Sequence, residues 1–324
     1  MTPSHRSRRL LLAALAILPM AALAQAPWPT RPITLIVPFA PGGGTDSIAR
    51  DIAKNMADRL GQPVIIDNRG GAGGSIGANA VAKAPADGHT LLFATSTFAT
   101  NAAIEPRLPF DPSKDFSPVA MIGRGPLLVV ANKGLGVSTI AQLVAAARAK
   151  PEGLNYCSAG NGSINHLSGE MFRQRTGLEM THVPFKGSAP ATVELLAGRV
   201  DLFFATVPTI QTHLKDDKLS VLAVTSARRS PLFPAVPTLA EAGVPGFDVT
   251  TWWGVLAPAR TPGAIVEALN RAVNDAAAAE PVKSRLLHEG ADPVRLTPVA
   301  FGEELRKELA LWRDVAQKPG MQLR

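Results

Sequence analysis

The sequence predicts an α/β fold of two lobes, each built on a parallel-rich sheet, with two segments crossing between them. Three observations predict it. Short apolar runs alternate with amphipathic stretches along most of the chain, which implies strands and helices in turn, parallel pairing and right-handed crossovers. Glycine turns at 41–46, 69–75, 159–163 and 186–190 each follow a strand and precede a helix, two in each half of the chain. Proline-rich stretches at 106–118 and 228–246 interrupt the alternation and read as the chain passing to a second lobe and returning. The expected division is 25–122 with 250–324 in lobe 1, and 123–249 in lobe 2.

The first element is the stretch around which the rest is arranged. Residues 33–37 are apolar and β-branched, with Thr34 the single polar residue, as in a strand covered on both faces. Pro38 and Pro41 end it, and Gly42, Gly43 and Gly44 follow. Without Cβ atoms these can turn sharply and let a ligand touch the backbone. Thr45 or Asp46 is placed to cap a helix whose apolar face is Ile48, Ile52, Met56 and Leu60. A helix N-terminus leaves N–H groups unpaired and carries partial positive charge, which suits an anion.

Strands are expected next at 63–67 and 90–94, separated by a small-residue helix over 76–84. The hydroxyls of Thr95, Ser96 and Thr97 then fall at a strand's carboxyl end, where open α/β sheets bind ligands. An extended run at 127–130 follows the first proline-rich stretch, then a helix capped by Ser138 and a strand at 154–158. Ser163 is placed to cap the helix that carries His166, Leu167, Met171 and Phe172. A strand at 180–185 runs into a helix with Ser188 as cap and Pro190 in its first turn, where a missing N–H does no harm. Strands at 200–205 and 219–225 flank a helical stretch at 206–214, and one short helix is expected near Leu239. A strand at 251–256 and helices from Pro262, near 282–287 and over 298–315 complete the chain, the helices packing back on lobe 1.

The start of the chain reads as an address. Arg6, Arg8 and Arg9 precede an apolar run at 10–23, too short to span a bilayer, and Ala22-Leu23-Ala24 offers a cleavage site. Residues 1–24 are therefore expected to be a signal peptide, without a cysteine for lipid anchoring; the paired arginines leave the general and twin-arginine export routes both open. Its removal takes three arginines and no acid, so the formal charge falls from +7 to +4. The remaining cations are scattered and aromatic residues are 5% of the chain, which argues against nucleic acid as a partner. Cys157 is the only cysteine, so no intramolecular disulfide forms, and it is expected to be buried and inert. The histidines show no paired metal spacing, and neither a metal nor a cofactor is expected.

The glycine turns carry a resemblance. Pro38-Phe39-Ala40-Pro41-Gly42-Gly43-Gly44-Thr45-Asp46, Asn68-Arg69-Gly70-Gly71-Ala72-Gly73-Gly74, Ala159-Gly160-Asn161-Gly162-Ser163-Ile164-Asn165-His166-Leu167 and Val183-Pro184-Phe185-Lys186-Gly187-Ser188 resemble the tripartite tricarboxylate transporter substrate-binding proteins, the Bug family. Pro234 to Gly243 and Trp253 to Pro258 fit as well, so the likeness runs through the mature chain in order. It implies a type II-like periplasmic binding protein that closes on a small organic carboxylate. A membrane transporter, or a sensor protein, would then receive the closed form, and the receptor would be a monomer.

Carried over residue by residue, Phe39, Gly43, Gly44, Thr45 and Asp46 line one wall, with Thr95, Ser96 and Thr97 beside them. Ala159, Gly160, Ser163 and His166 line the other, joined by Lys186, Gly187 and Thr206. Two departures bear on the ligand's far end. Phe185 stands where the family often has Tyr, and Ala205-Thr206 where an acid often follows the strand. The rival reading is a secreted serine hydrolase, because Gly73-Gly74-Ser75-Ile76-Gly77 matches the G-x-S-x-G elbow; no catalytic residue is assigned under the receptor reading.

Overall fold

The computed structural model describes residues 28–42, 44–105, 107–288, 290–319 and 321. Gly43 and the expected signal peptide at 1–24 lie outside the described residues. Strand β1 (Ile33–Val37) pairs in parallel with β2 (Val64–Asn68) and β3 (Thr90–Thr95). Helix α1 (Gly44–Leu60) buries Ile48, Ile52 and Met56 against these strands, as its four-residue spacing requires. The second lobe repeats the theme. Strand β5 (Leu154–Ser158) pairs in parallel with β6 (Met180–Pro184) and β7 (Leu202–Thr206).

The sheet is mixed because the two strands between these groups pair antiparallel with each of their neighbours. Strand β4 (Phe116–Asn132) is 17 residues long and almost wholly buried. Its first part lies antiparallel to β9 (Thr250–Pro258), which in turn pairs with β3. Its second part lies antiparallel to β7 and to β8 (Leu219–Val224). The first crossing is therefore a continuous strand rather than a loop, and Pro118, expected in an irregular stretch, lies inside it. The two crossings are fastened where β4 changes partners. The Thr225 hydroxyl accepts from Leu127 N (2.9 Å) and donates to Val249 O (2.7 Å), in a fully buried position.

Helix α2 (Ser75–Ala82) follows a 3₁₀ turn at Ala72–Gly74. Helix α3 (Thr97–Ile104) has no counterpart in the sequence expectation, which left these residues as loop. The remaining helices are α4 (Ile140–Ala149), α5 (Ile164–Thr176), α6 (Ser188–Leu196), the single turn α7 (Val207–Ile210), α8 (Gly263–Ala278), α9 (Val282–His288) and α10 (Pro298–Ala316). Helix α8 packs on β4, where Asn270 donates to Val119 O and Leu296 O, and α10 packs on β4 and α3 through Phe301, Leu305, Leu309 and Trp312. Near Leu239 the chain forms turns instead of a helix, tied to β8 by a bridge between Val224 and Thr238. A two-residue strand, β10 (Asp292–Pro293), adds to the edge of β4.

Several caps differ from expectation by one residue. Thr139, not Ser138, accepts from Gln142 N at the start of α4. Gly187, not Ser188, is the cap residue of α6, at φ 110°, and Ser188 is the first helical residue. Asp46 lies within the first turn of α1, which begins at Gly44. None of the described helices is long and apolar enough to cross a membrane.

Candidate functional site

The carboxyl ends of β1, β2 and β3 carry one group of turns, and those of β5, β6 and β7 carry the other. On the first wall the turns after β1 and β2 are laced together by Asp46 and Asn68. Asp46 Oδ2 accepts from Gly42 N and Arg50 Nε, each at 2.9 Å, and Oδ1 accepts from Asn68 Nδ2 at 2.8 Å. Asn68 Nδ2 also reaches Phe39 O at 3.2 Å. Burial raises the Asp46 pKa, but the bonds from Arg50, Gly42 and Asn68 outweigh it and hold the carboxyl below its ordinary range. Asp46 is thus a buried brace for the turn, with both oxygens occupied.

Gly74 and Gly77 let α2 press directly on that turn. A Cβ on Gly77 would lie 2.9 Å from Arg69 O and 3.0 Å from Pro38 Cβ, closer than real Cβ atoms approach. This packing accounts for the glycines around Ser75. Ser75 itself is the first residue of α2, separated from the end of β2 at Asn68 by the 3₁₀ turn. A nucleophile elbow needs the strand to run directly into the helix, and here it does not.

Of the hydroxyl run, Thr95 and Ser96 are buried and Thr97 is half-buried. Ser96 N donates to Trp252 O, and its hydroxyl pairs with Thr251 Oγ1 at 3.0 Å. Thr95 Oγ1 accepts from Thr97 N. Thr45 Oγ1 accepts from Trp253 Nε1 at 3.4 Å. Phe39 is half-buried against the lobe 1 core.

On the second wall, Ser163 accepts from His166 N and donates to Gly160 O at 2.7 Å, as its predicted capping place implies. Gly160 N donates to Ser158 Oγ, which is joined to His182 Nε2 at 2.6 Å. Gly187 N donates to Ala159 O and Phe185 N to Ser158 O, so the turns after β5 and β6 form one unit. His166 is fully buried. Its Nδ1 accepts from Gly162 N, and its ring lies 3.8 Å from that of His182, nearly parallel at 8°. Burial first, and the neighbouring His166 second, lower His182 to about 3, so it is neutral at ordinary pH. Tyr156 closes the stack, and its hydroxyl donates to the buried Glu170 at 2.7 Å. Burial, then Glu170, raises the Tyr156 pKa and keeps it a proton donor. Lys186 is exposed and forms no ion pair among the described residues. Thr206 is half-buried at the end of β7, paired with Thr209 Oγ1 at 2.7 Å.

The two walls meet. Thr100 Oγ1 donates to Gly162 O at 2.7 Å, and Asn101 beside it donates to Ala72 O. The sequence reading missed both residues, because Thr-Phe-Ala-Thr-Asn-Ala-Ala-Ile shows no helical apolar period to announce α3. It also missed His182 and Thr225, which contact the site only through other groups.

Side-chain capping varies among the helices: α5, which starts at one of these turns, is capped by Ser163, and α8, which does not, has no side-chain cap. Helices α4 and α10 have threonine side chains bonded to their first amides, from Thr139 and Thr297. Helices α2, α3 and α6, which start at the turns, have no side-chain cap, and their cap residues are Gly74, Ser96 and Gly187. Two of their first N–H groups are taken within the turns, Ser75 N by Ala72 O and Thr97 N by Thr95 Oγ1, and no side chain caps the others. A cavity of about 20 Å³ lies on the lobe 1 side, lined by Phe39, Gly73, Gly74, Thr95, Phe98 and Asn101 among others. A cavity of about 660 Å³ lies at the hinge between Arg124, Arg228, Glu308 and Trp312, and no predicted site residue lines it. Among the described residues no cluster of His, Cys, Asp or Glu could hold a metal ion. Cys157 is buried, and burial pushes its thiol up to about 12.

Known proteins share this architecture. A sequence profile of the tripartite tricarboxylate transporter family receptors matches residues 48–320. The protein BugT of Bordetella pertussis is 40% identical over 299 residues, covering 92% of each chain. A structure from R. palustris solved with adipate superposes with a TM-score of 0.82 at 42% identity, over 90% of this chain and 97% of that one. MatC from Rhodopseudomonas palustris, solved with bound malate, gives 0.81 at 36% identity, over 90% of this chain and all (100%) of that one. The chain belongs to the tripartite tricarboxylate transporter receptor family, the Bug-type two-lobed periplasmic solute receptors.

Proposed function

We propose that this protein captures a small organic carboxylate between its lobes, without transforming it, and presents the closed form to a tripartite tricarboxylate-type membrane transporter. The observation that carries the reading is the set of uncapped helix starts at Gly74, Ser96 and Gly187, contributed by both walls. Each presents the positive end of a helix dipole to an anion, and the donors are the amides that remain once Ser75 N and Thr97 N are bonded within the turns. The side-chain acid of the region, Asp46, is already braced by Arg50, Gly42 and Asn68, so it presents little repulsion to a carboxylate. Gly44 and Thr45 at the start of α1, with Thr97, would complete one wall. Gly160, Gly187 and Lys186 would supply the other, with Lys186 reaching the ligand's far end. Ser96, Ser163 and His166 are buried in bonds of their own and act by holding the turns.

The lobes follow the division at 25–122 with 250–324 and 123–249, closing about β4 and β9. The mature receptor acts in the periplasm, a reading that the basic and apolar character of residues 1–24 supports. It works as a monomer that contacts transporter subunits, or a sensor protein, only transiently. The neighbours solved with adipate and malate support the ligand class. Calorimetric titration of the mature protein with malate and adipate, followed by NMR of the recovered ligand, tests the reading. Saturable binding with the acid returned unchanged supports it. Conversion of the acid, or cleavage of a generic ester that depends on Ser75, overturns it in favour of the hydrolase.

A further inference from the structure

The wall of the site holds a contact between lobes that no ligand mediates. Thr100, on α3 of lobe 1, is fully buried and donates its hydroxyl proton to Gly162 O at 2.7 Å. The same hydroxyl has longer alternatives, Thr97 O at 3.3 Å and Ser96 O at 3.4 Å, within its own helix. It spends its one proton on the opposite lobe.

The receiving side is built for close approach. Gly162 has φ 76°, and a Cβ there would lie 2.8 Å from Ile104 Cδ1 and 3.1 Å from Asn101 Oδ1, both on α3. Any other residue would be strained at this φ and would require the Ile104 side chain to shift. The peptide is also gripped from behind, since Gly162 N donates to His166 Nδ1 at 3.2 Å. His166 is stacked on His182, which is tied to Ser158. Gly162 O therefore points at Thr100 from a rigid support. On the lobe 1 side, Asn101 anchors α3 to the glycine turn through Ala72 O, and Ser96 anchors its start to Trp252 O on the returning strand.

We propose that Thr100 and Gly162 form a latch that sets the balance between open and closed lobes, acting as positioning residues for ligand capture. Its weight in capture rests on the receptor reading above, but the latch itself is testable without a ligand. A hydroxyl-to-carbonyl bond of this kind shifts closure by about three- to tenfold. Part of the closed population then exists before ligand arrives, and the ligand meets a site already largely assembled.

The test compares the mature wild type with Thr100→Val, Thr100→Ser and Gly162→Ala, first without ligand, by small-angle scattering and hydrogen exchange. Valine keeps the shape and removes the donor; serine keeps the donor. The latch predicts a larger radius of gyration and several-fold faster exchange at 97–104 and 158–163 in Thr100→Val and Gly162→Ala, with Thr100→Ser returned toward wild type. Identical scattering and exchange in Thr100→Val and wild type would overturn it. So would equal opening in Thr100→Ser and Thr100→Val, since the hydroxyl would then be irrelevant. Malate and adipate are added second. Faster dissociation from Thr100→Val than from Thr100→Ser supports the role in capture. Absence of binding of these two acids and of every other small organic acid tried to the wild type sinks the receptor reading and leaves the ligand-free comparison to decide the latch.

Discussion

At the scale of single residues, buried polar groups brace the turns of the candidate site. Asp46 looks in the sequence like a ligand contact, but its oxygens are taken by Gly42, Arg50 and Asn68. Replacing it with Ala leaves the Gly42 amide without its side-chain partner and removes one of the bonds of Asn68. The expected cost is about 1–3 kcal/mol of stability, read by chemical denaturation, together with weaker ligand binding through a loosened turn. The sign with pH follows from its depressed pKa. Its contribution is complete above the ordinary carboxylate range and is lost as pH falls through the lower folded value. Unchanged stability in Asp46→Ala, with binding alone reduced, would instead make it a direct ligand contact.

Between the elements, the decisive device is the change of partners along β4. Thr225 satisfies Leu127 N and Val249 O at that point. Thr225→Val keeps the shape and strands both groups, so it should cost about 1–3 kcal/mol and raise hydrogen exchange at 127 and 249. An effect within a few tenths of wild type would mean that the crossings are held by β-pairing alone. The sequence made most elements legible because their apolar spacing is set by burial, as in α1 and α10. It hid α3, whose small and hydroxyl residues pack between β4, α10 and the site without a continuous apolar face. It also hid the continuity of β4, since the proline-rich stretch that ends at Pro118 reads as irregular. The glycine turns were legible because positive φ and close approach demand glycine, at Gly74 and Gly162 alike. Thr100 was not, because a threonine that bonds across lobes looks in sequence like any other helical threonine.

Over the whole molecule, two half-buried groups pull stability in opposite directions with pH. His182 falls from its ordinary 6.5 to about 3, through burial and then His166. The unfolded chain therefore binds more protons at this group, and stability rises with pH up to about 6.5. Glu308 is raised from 4.5 to about 7 by burial, against the bonds donated by Trp252 and Trp312. Here the folded chain binds more protons, so this contribution is complete below 4.5 and lost as pH rises to about 7. Between 4.5 and 6.5 the two slopes offset each other. Melting curves across that window should be flatter in wild type than in either single variant. Glu308→Gln should gain stability with rising pH and His182→Asn should lose it; parallel profiles in all three proteins would contradict both assignments.

The central claim is that helix starts from both lobes gather a small carboxylate. It is tested most directly by a thermal-shift screen of the mature protein against small organic acids, each paired with its uncharged amide. A ligand that binds only the folded state raises the melting temperature by mass action. The account predicts a rise with one group of acids that is absent with the matching amides. Equal rises with acids and amides, or no rise with any acid, would contradict it.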